Sequence, residues 1–236
     1  MAVVRHRRWL IGSGALALLL FSPVLALLLE AVSSDVSLLQ QLWQTVLPTY
    51  IFNSMALVIC VVILAVLLGL PCGWLLANYQ LPGHRYLEWA LILPLAMPAY
   101  VVAYIYTDLL DYTGWLQVQL RAFFGWQSAA DYWFPDLRTL GGAAVMLALV
   151  LYPYVYLLTR AGFLEQSINL QDAGRMLGAS HWRRFFRISL PLVRPVLIGA
   201  MILVAMETLA DFGTVSYFAV NTLTTAITDA WLGYGS

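Results

Sequence analysis

Lysine is missing from this 236-residue chain, and all twelve of its basic residues are arginines. A phosphate-binding loop of the GxxxxGK[ST] type therefore has no residue to close on phosphates, and any ATP-driven work falls to another polypeptide. Cysteine is nearly missing as well. Cys60 and Cys72 lie twelve apart in one apolar run, a spacing that suits neither metal ligation nor a disulfide framework and leaves packing as their role. The three histidines, His6, His84 and His181, are scattered, and no His/Cys/carboxylate cluster has metal-ligand spacing, so a membrane metalloenzyme finds no support. Charge is the largest deficit: 10% of residues are charged against 62% hydrophobic, with a mean hydropathy of +0.81. No soluble domain tolerates such a surface, which makes this an integral membrane protein. The formal net charge is zero, so bulk charge points to no partner, nucleic acid included; only its distribution is informative.

In chain order, Arg5, Arg7 and Arg8 precede an apolar run from Trp9 to Leu29, about the ~20 residues that cross a hydrocarbon core. A cleaved signal peptide competes with a retained span here, but its apolar region is usually only ~7–15 residues, so a retained first span is expected. Glu30 to Pro48 reads as a polar connection. The second span runs from Tyr50 to Ala77, with a kink expected at Gly69, Pro71 and Gly73. After a tight loop over 78–85, a third span covers Tyr86 to Thr107 and is broken by Pro94 and Pro98, which free backbone carbonyls for protein or a watery cavity to satisfy. That makes it a candidate pathway helix, with a packing kink as the alternative. Asp108 to Arg138 is a long aromatic-rich loop of the kind found at a membrane surface. The fourth span is Thr139 to Thr159 and the fifth Leu192 to Leu209; Phe212 to Val220 is too short to cross and Asn221 to Asp229 is mostly polar, so no sixth is counted.

One long polar stretch interrupts this pattern, Leu170 to Pro191, LQDAGRMLGASHWRRFFRISLP. Asn169 is placed to cap a helix whose first turn holds Asp172, and Gly178 is placed to stop it. Leu170, Ala173, Gly174 and Leu177 then form one smooth apolar face, with Gln171, Asp172 and Arg175 off it. Ser180 restarts a helix with Trp182, Phe185 and Phe186 on one face and Arg183, Arg184 and Arg187 on another, ahead of Pro191 and Pro195. By physics alone this is equally an interfacial amphipathic loop, aromatics in the acyl boundary and arginines on headgroups.

The spacing resembles the cytoplasmic signature loop of binding-protein-dependent ABC importer permeases: Glu-Ala-Ala, three residues, Gly, nine residues, Ile-x-Leu-Pro. Asp172-Ala173-Gly174, Gly178 and Ile188-Ser189-Leu190-Pro191 reproduce every interval, with Asp172 for Glu and Gly174 for the second Ala as departures. The resemblance implies an all-α polytopic membrane protein of the type I ABC importer permease fold. About five transmembrane helices form a single permease domain over 1–236, with a cytoplasmic coupling loop over 160–191. It also implies that Leu170, Asp172, Ala173, Gly174, Leu177, Gly178, Ile188, Leu190 and Pro191 dock a cytoplasmic ABC ATPase dimer, which holds the ATP and Mg. The permease itself carries no cofactor and is not an enzyme. Further implied partners are a periplasmic or extracellular substrate-binding protein and a second permease half, fused or separate, in a prokaryotic cytoplasmic membrane.

Arginine asymmetry orients the chain. With the N-terminus inside, Arg5, Arg7, Arg8, Arg85, Arg160, Arg175, Arg183, Arg184, Arg187 and Arg194 are cytoplasmic, and Arg121 and Arg138 are outside. The signature loop falls inside, where an ATPase reaches it. Five spans leave Ser236 outside, so at least one further span, and room for a second homologous half, is expected after it. Leu93 to Gly114 and Glu207 to Gly235 further resemble the ferric-iron branch of the family, parts of which polyamine, thiamine and sulfate permeases share. Ferric iron is the expected cargo, moved by alternating access. Glu207 and Asp211, at i and i+4, are expected to face inward, because a carboxylate at membrane depth costs about 2.5–3.5 kcal/mol on insertion scales. Tyr100, Tyr104, Asp108 and Asp111 are expected to line the outer mouth with oxygen donors, against a reading of the tyrosines as belt residues. No metal-ligand set is assigned. An ion-coupled secondary transporter or channel is the alternative of a different class; it calls for charged residues on several spans and internal repeats, and only Glu207 fits.

Overall fold

A computed structural model describes residues 2–33, 36–167, 172, 174, 176 and 178–233. The chain forms two units, residues 1–46 and 47–236. In the first, α1 (Ala2–Ser33) contains the apolar window Trp9–Ala26, long enough to cross a bilayer. The connection read as polar is itself partly helical, α2 (Val36–Thr45), because Val36, Leu39 and Trp43 recur at helical spacing between the glutamines.

The second unit is a helical bundle built on two long helices, α3 (Leu47–Asn78) and α7 (Leu140–Leu164). Small residues bring their backbones together. Ala65, Gly69 and Gly73 recur every four residues on α3, the small-xxx-small pattern by which membrane helices approach closely. A Cβ on Gly69 would stand 2.6 Å from the Tyr152 carbonyl oxygen, and one on Gly73 2.5 Å from the Thr159 hydroxyl. The helix continues through Pro71, and these glycines serve the α3–α7 contact. Ala143, Ala144, Leu147 and Ala148 of α7 complete the buried core with Leu57 and Val61.

The same contacts fix direction. Gly69 meets Tyr152 and Gly73 meets Thr159, so α3 and α7 run parallel, and the chain between them must return to its starting end. It does so through a broken segment: α4 (His84–Ile92), a 3₁₀ turn (Leu93–Ala96), α5 (Ala99–Leu110) and α6 (Trp115–Phe124). Glu88 of α4 pairs with Arg160 near the end of α7 and with His84 at 3.0 Å, while Asp111 after α5 lies 4.0 Å from Arg138 just before α7. The segment therefore travels the length of α7. It is bent by 98° between His84–Ala96 and Ala99–Phe124, sharper than a kinked single span. Pro98 explains the site of the break: Met97 before it is extended (φ −105°, ψ 134°), as the residue preceding proline prefers.

The long aromatic loop is folded. Gln117 on α6, buried, donates to the Leu110 carbonyl and accepts from Tyr132, whose oxygen also accepts from Arg121. Trp126 stacks between Phe124 and Tyr132, while Trp115 and Trp133 remain exposed. The next long helix, α8 (His181–Ala210), opens with one α turn, passes through a π turn over Phe185–Ser189 and packs antiparallel on α7, Gly162 against Val193. Two short helices close the chain, α9 (Gly213–Tyr217) and α10 (Leu223–Gly233); neither is long enough to cross. The described residues thus hold four helices long and apolar enough to span, or five with the bent pair, in line with the expected number.

Candidate functional site

Two regions carry the predicted site residues. At the end of the bundle where α7 finishes and α8 begins lies the signature loop. Leu170, Ala173 and Leu177, with Asn169, Gln171 and Arg175, fall outside the described residues. The remaining members come together. Gly178 adopts φ +72°, and the Ala179 amide bonds back to the Gly174 carbonyl at 3.0 Å, the long hydrogen bond of a helix stop that favours glycine. Ser180 then caps the next helix, accepting from the Arg183 amide at 3.4 Å, as its type suggests.

The two halves of the loop touch. Gly174 is buried, and a Cβ there would lie 2.9 Å from Ile188 Cδ1 and 3.3 Å from Arg184 Cδ. Ile188 thus packs on the first piece, the Ser189 carbonyl accepts from the Gln166 side-chain amide at 2.8 Å, and Leu190 joins Phe163, Phe185 and Val193 in a second hydrophobic cluster with Trp74 of α3. Pro191 sits at the start of the α-helical part of α8, directly after the π turn, and Asp172 is half-buried. Trp182, Phe185 and Phe186 stay in mutual ring contact, as expected of one face, but Arg184 is buried while Arg183 and Arg187 are exposed.

The fit at Gly174 has a measurable edge. The nearest obstacle is the flexible end of Ile188, so Gly174→Ala is accommodated, whereas Gly174→Leu must part the two pieces at about 1–3 kcal/mol. Thermal unfolding of the three proteins checks this: near-equal melting for Gly and Ala, a clear drop for Leu.

Between the break in the returning segment and the middle of α7, a cavity of about 260 Å³ is lined by Leu95, Met97 and Ala99 from the broken segment, Tyr154 from α7, and Glu207 and Asp211. The break and the two carboxylates therefore share one space. Asp211 lies beyond the last helical residue, in extended backbone (φ −69°, ψ 128°), so it reaches the cavity from the end of α8. It also caps α9: its carboxylate accepts from the Thr214 amide and hydroxyl, each at 3.0 Å, and from the Val215 amide at 3.1 Å. Burial pushes its carboxyl up, and those hydrogen bonds pull it down. The lining carries no cationic side chain, and no group of three or more His, Cys, Asp or Glu among the described residues is arranged to hold a metal.

The four residues expected at one outer mouth lie on α5 or directly after it and border more than one hollow. Tyr100 and Tyr104 border an apolar surface hollow with Tyr217, Asp111 borders a separate cavity near Arg138, and Asp108 is exposed. Sequence reasoning missed Tyr154 and Met97 in the Glu207–Asp211 cavity; an apolar run signals helix but not which side faces the break.

Residues 69–234 match the family described as "Binding-protein-dependent transport system inner membrane component". Among curated proteins the chain is 32% identical over 183 residues to the molybdenum transport system permease protein ModB of Escherichia coli strain K12, covering 76% of this chain and 72% of that one. It is 27% identical over 223 residues to a probable sulfate transport system permease protein cysT of Chlorokybus atmophyticus, 93% and 74% of the two chains. Against the Fe(3+)-transport system permease protein FbpB 2 of Haemophilus influenzae it is 29% identical over 175 residues, 74% of this chain but 30% of that one. A solved bacterial ABC transporter involved in import of the acidic polysaccharide alginate superposes with a TM-score of 0.69 at 17% identity, covering 99% of this chain and 88% of its own.

Proposed function

The chain belongs to the binding-protein-dependent transport system inner membrane components, as a multi-pass permease of an ABC importer, and from that premise we propose that it carries a cation, ferric iron, inward through the Glu207–Asp211 cavity. The observation that carries the cargo assignment is the lining itself. Two carboxylates and a phenol face the space without a guanidinium, an oxygen-donor surface that suits a hard cation and repels an oxyanion. The molybdate reading has one observation in its favour, the 32% identity to ModB. Labelled uptake by the complete natural protein, in cells lacking their own systems, separates them: ferric iron without molybdate supports the cation, and molybdate alone overturns it.

In this reading the N-terminus and the signature loop are cytoplasmic, and an ATPase dimer seats on the Asp172–Gly178 piece. The packing supplies a route for its motion: Gly174 lies against Arg184 and Ile188, and Phe185, next in the chain after Arg184, packs on Trp74 of α3 and Phe163 of α7. A binding protein delivers cargo at the opposite end, and the bundle alternates access to the cavity. Glu207→Gln removes a charge from the cavity without touching the loop. The expected result is slowed uptake with the ATPase still co-purifying; normal uptake takes Glu207 out of the pathway.

A further inference from the structure

A cavity of about 350 Å³ lies at the end of the bundle away from the signature loop, apart from the Glu207–Asp211 space proposed for transport. It sits under the folded aromatic loop, between the end of α5 and the approach to α7. Its walls are held from outside. Gln117 spends both ends of its amide on Leu110 and Tyr132, Arg121 ties Tyr132 to the Tyr112 carbonyl, and Leu137 runs against Gly142 with no room for a Cβ.

Thr107 is the residue that this scaffold leaves unsatisfied. The hydroxyls of Thr159, Thr208 and Thr228 each fold back on the carbonyl four residues earlier. Thr107, only 2% exposed and lining the cavity, does not: its hydroxyl has no hydrogen-bond partner among the described residues. Buried hydroxyls are ordinarily paired. The other polar groups on the wall lean towards accepting. Asp136 receives the Arg138 amide on Oδ1 at 2.9 Å, and Asp111 receives the Tyr112 amide on Oδ1 at 2.8 Å, which leaves the second oxygen of each, one of them 4.0 Å from the Arg138 guanidinium. Two carboxylates thus line the cavity with one guanidinium, which only Asp111 approaches, among aromatic walls. Those walls already hold a cation once, since the Arg121 guanidinium lies 4.1 Å over the Tyr112 ring.

We propose that this cavity binds an organic cation, an ammonium or guanidinium group on an apolar stem, with the Thr107 hydroxyl and the Asp136 carboxylate as its polar partners. The stem lies against the aromatic walls and the charged head meets the spare carboxylate oxygen. A basic side chain of a docked protein and a free polyamine-like molecule share this chemistry.

Calorimetric titration of the purified chain in lipid nanodiscs tests it, with agmatine as probe and n-butanol as the uncharged stem. Saturable binding of agmatine and none of butanol is expected. Thr107→Val and Asp136→Asn each weaken it by about tenfold or more, and Thr107→Ser, which keeps the hydroxyl, restores it. Thermal unfolding of each variant establishes that the fold is intact. An acetylated and amidated Gly-Arg-Gly peptide assigns the source: binding as tight as agmatine points to a presented side chain, binding of agmatine alone to a free cation. Absence of saturable agmatine binding by the parent chain, or binding unchanged in both Thr107→Val and Asp136→Asn, overturns the proposal.

Discussion

Gly178→Asp leaves the chain folded and inserted but lowers ATP-driven uptake by more than about tenfold, because the substitution places a charge on a docking surface rather than disturbing the chain itself. Gly178 is exposed, and a Cβ there meets nothing within 4 Å, so the new side chain finds room. Its backbone is left-handed at φ +72°, where most L-residues pay roughly 1–2 kcal/mol but Asp and Asn are tolerated best. The intramolecular penalty is therefore small. Against an ATPase groove the result differs: a carboxylate buried without a partner costs about 3–5 kcal/mol, enough to empty the dock. Gly178→Asn isolates the charge, having nearly the same size and the same backbone tolerance. Expected are loss of ATPase co-purification and of labelled iron uptake for Asp, and retention of most of both for Asn. Equal loss in the two variants assigns the effect to size, and normal uptake in Gly178→Asp sinks the docking role.

How much of this was legible beforehand depended on the range of the interaction. Local chemistry read well: the Gly178 stop and the Ser180 cap are decided within four residues, and the sequence places both. Family spacing found the loop, yet it gave no reason for Gly174 in place of Ala. The structure adds only an upper limit: the Ile188 side chain, fourteen residues on, yields to Ala there and excludes larger residues. Glu207 and Asp211 do share a space, but not by the helical periodicity that paired them, since α8 ends between them and Asp211 turns out to cap α9. The outer residues lie together on α5 or directly after it, beyond the 98° break at Pro98; what their order in the sequence does not give is which hollow each one borders. The Glu88–Arg160 pair was beyond reach, its partners 72 residues apart on α4 and α7, which only the fold brings together.

The glycine pair on α3 shows the same limit and supplies the largest expected effect on stability. Gly69→Ala adds one methyl group to a helix, which in isolation is favourable by about 0.8–1.0 kcal/mol. Here that methyl carbon would stand 2.6 Å from the Tyr152 oxygen, 2.8 Å from Val155 Cβ and 2.9 Å from the Tyr156 nitrogen. None of these is the end of a flexible side chain, so relief requires α3 and α7 to separate along the contact that organises the unit. Overpacking of this kind typically costs about 1–3 kcal/mol and outweighs the propensity gain. Gly73→Ala follows the same logic, with the obstacle being the Thr159 hydroxyl, held by its bond to Val155. Gly199 in α8 is the internal control, a helical glycine with nothing within 4 Å of a Cβ. Thermal unfolding of purified protein should therefore show opposite signs for the same chemical change, a lower melting temperature for Gly69→Ala and an equal or higher one for Gly199→Ala. Should Gly69→Ala melt no lower than the parent, the close α3–α7 approach is not what holds the bundle together, and the parallel pairing inferred from it loses its energetic basis.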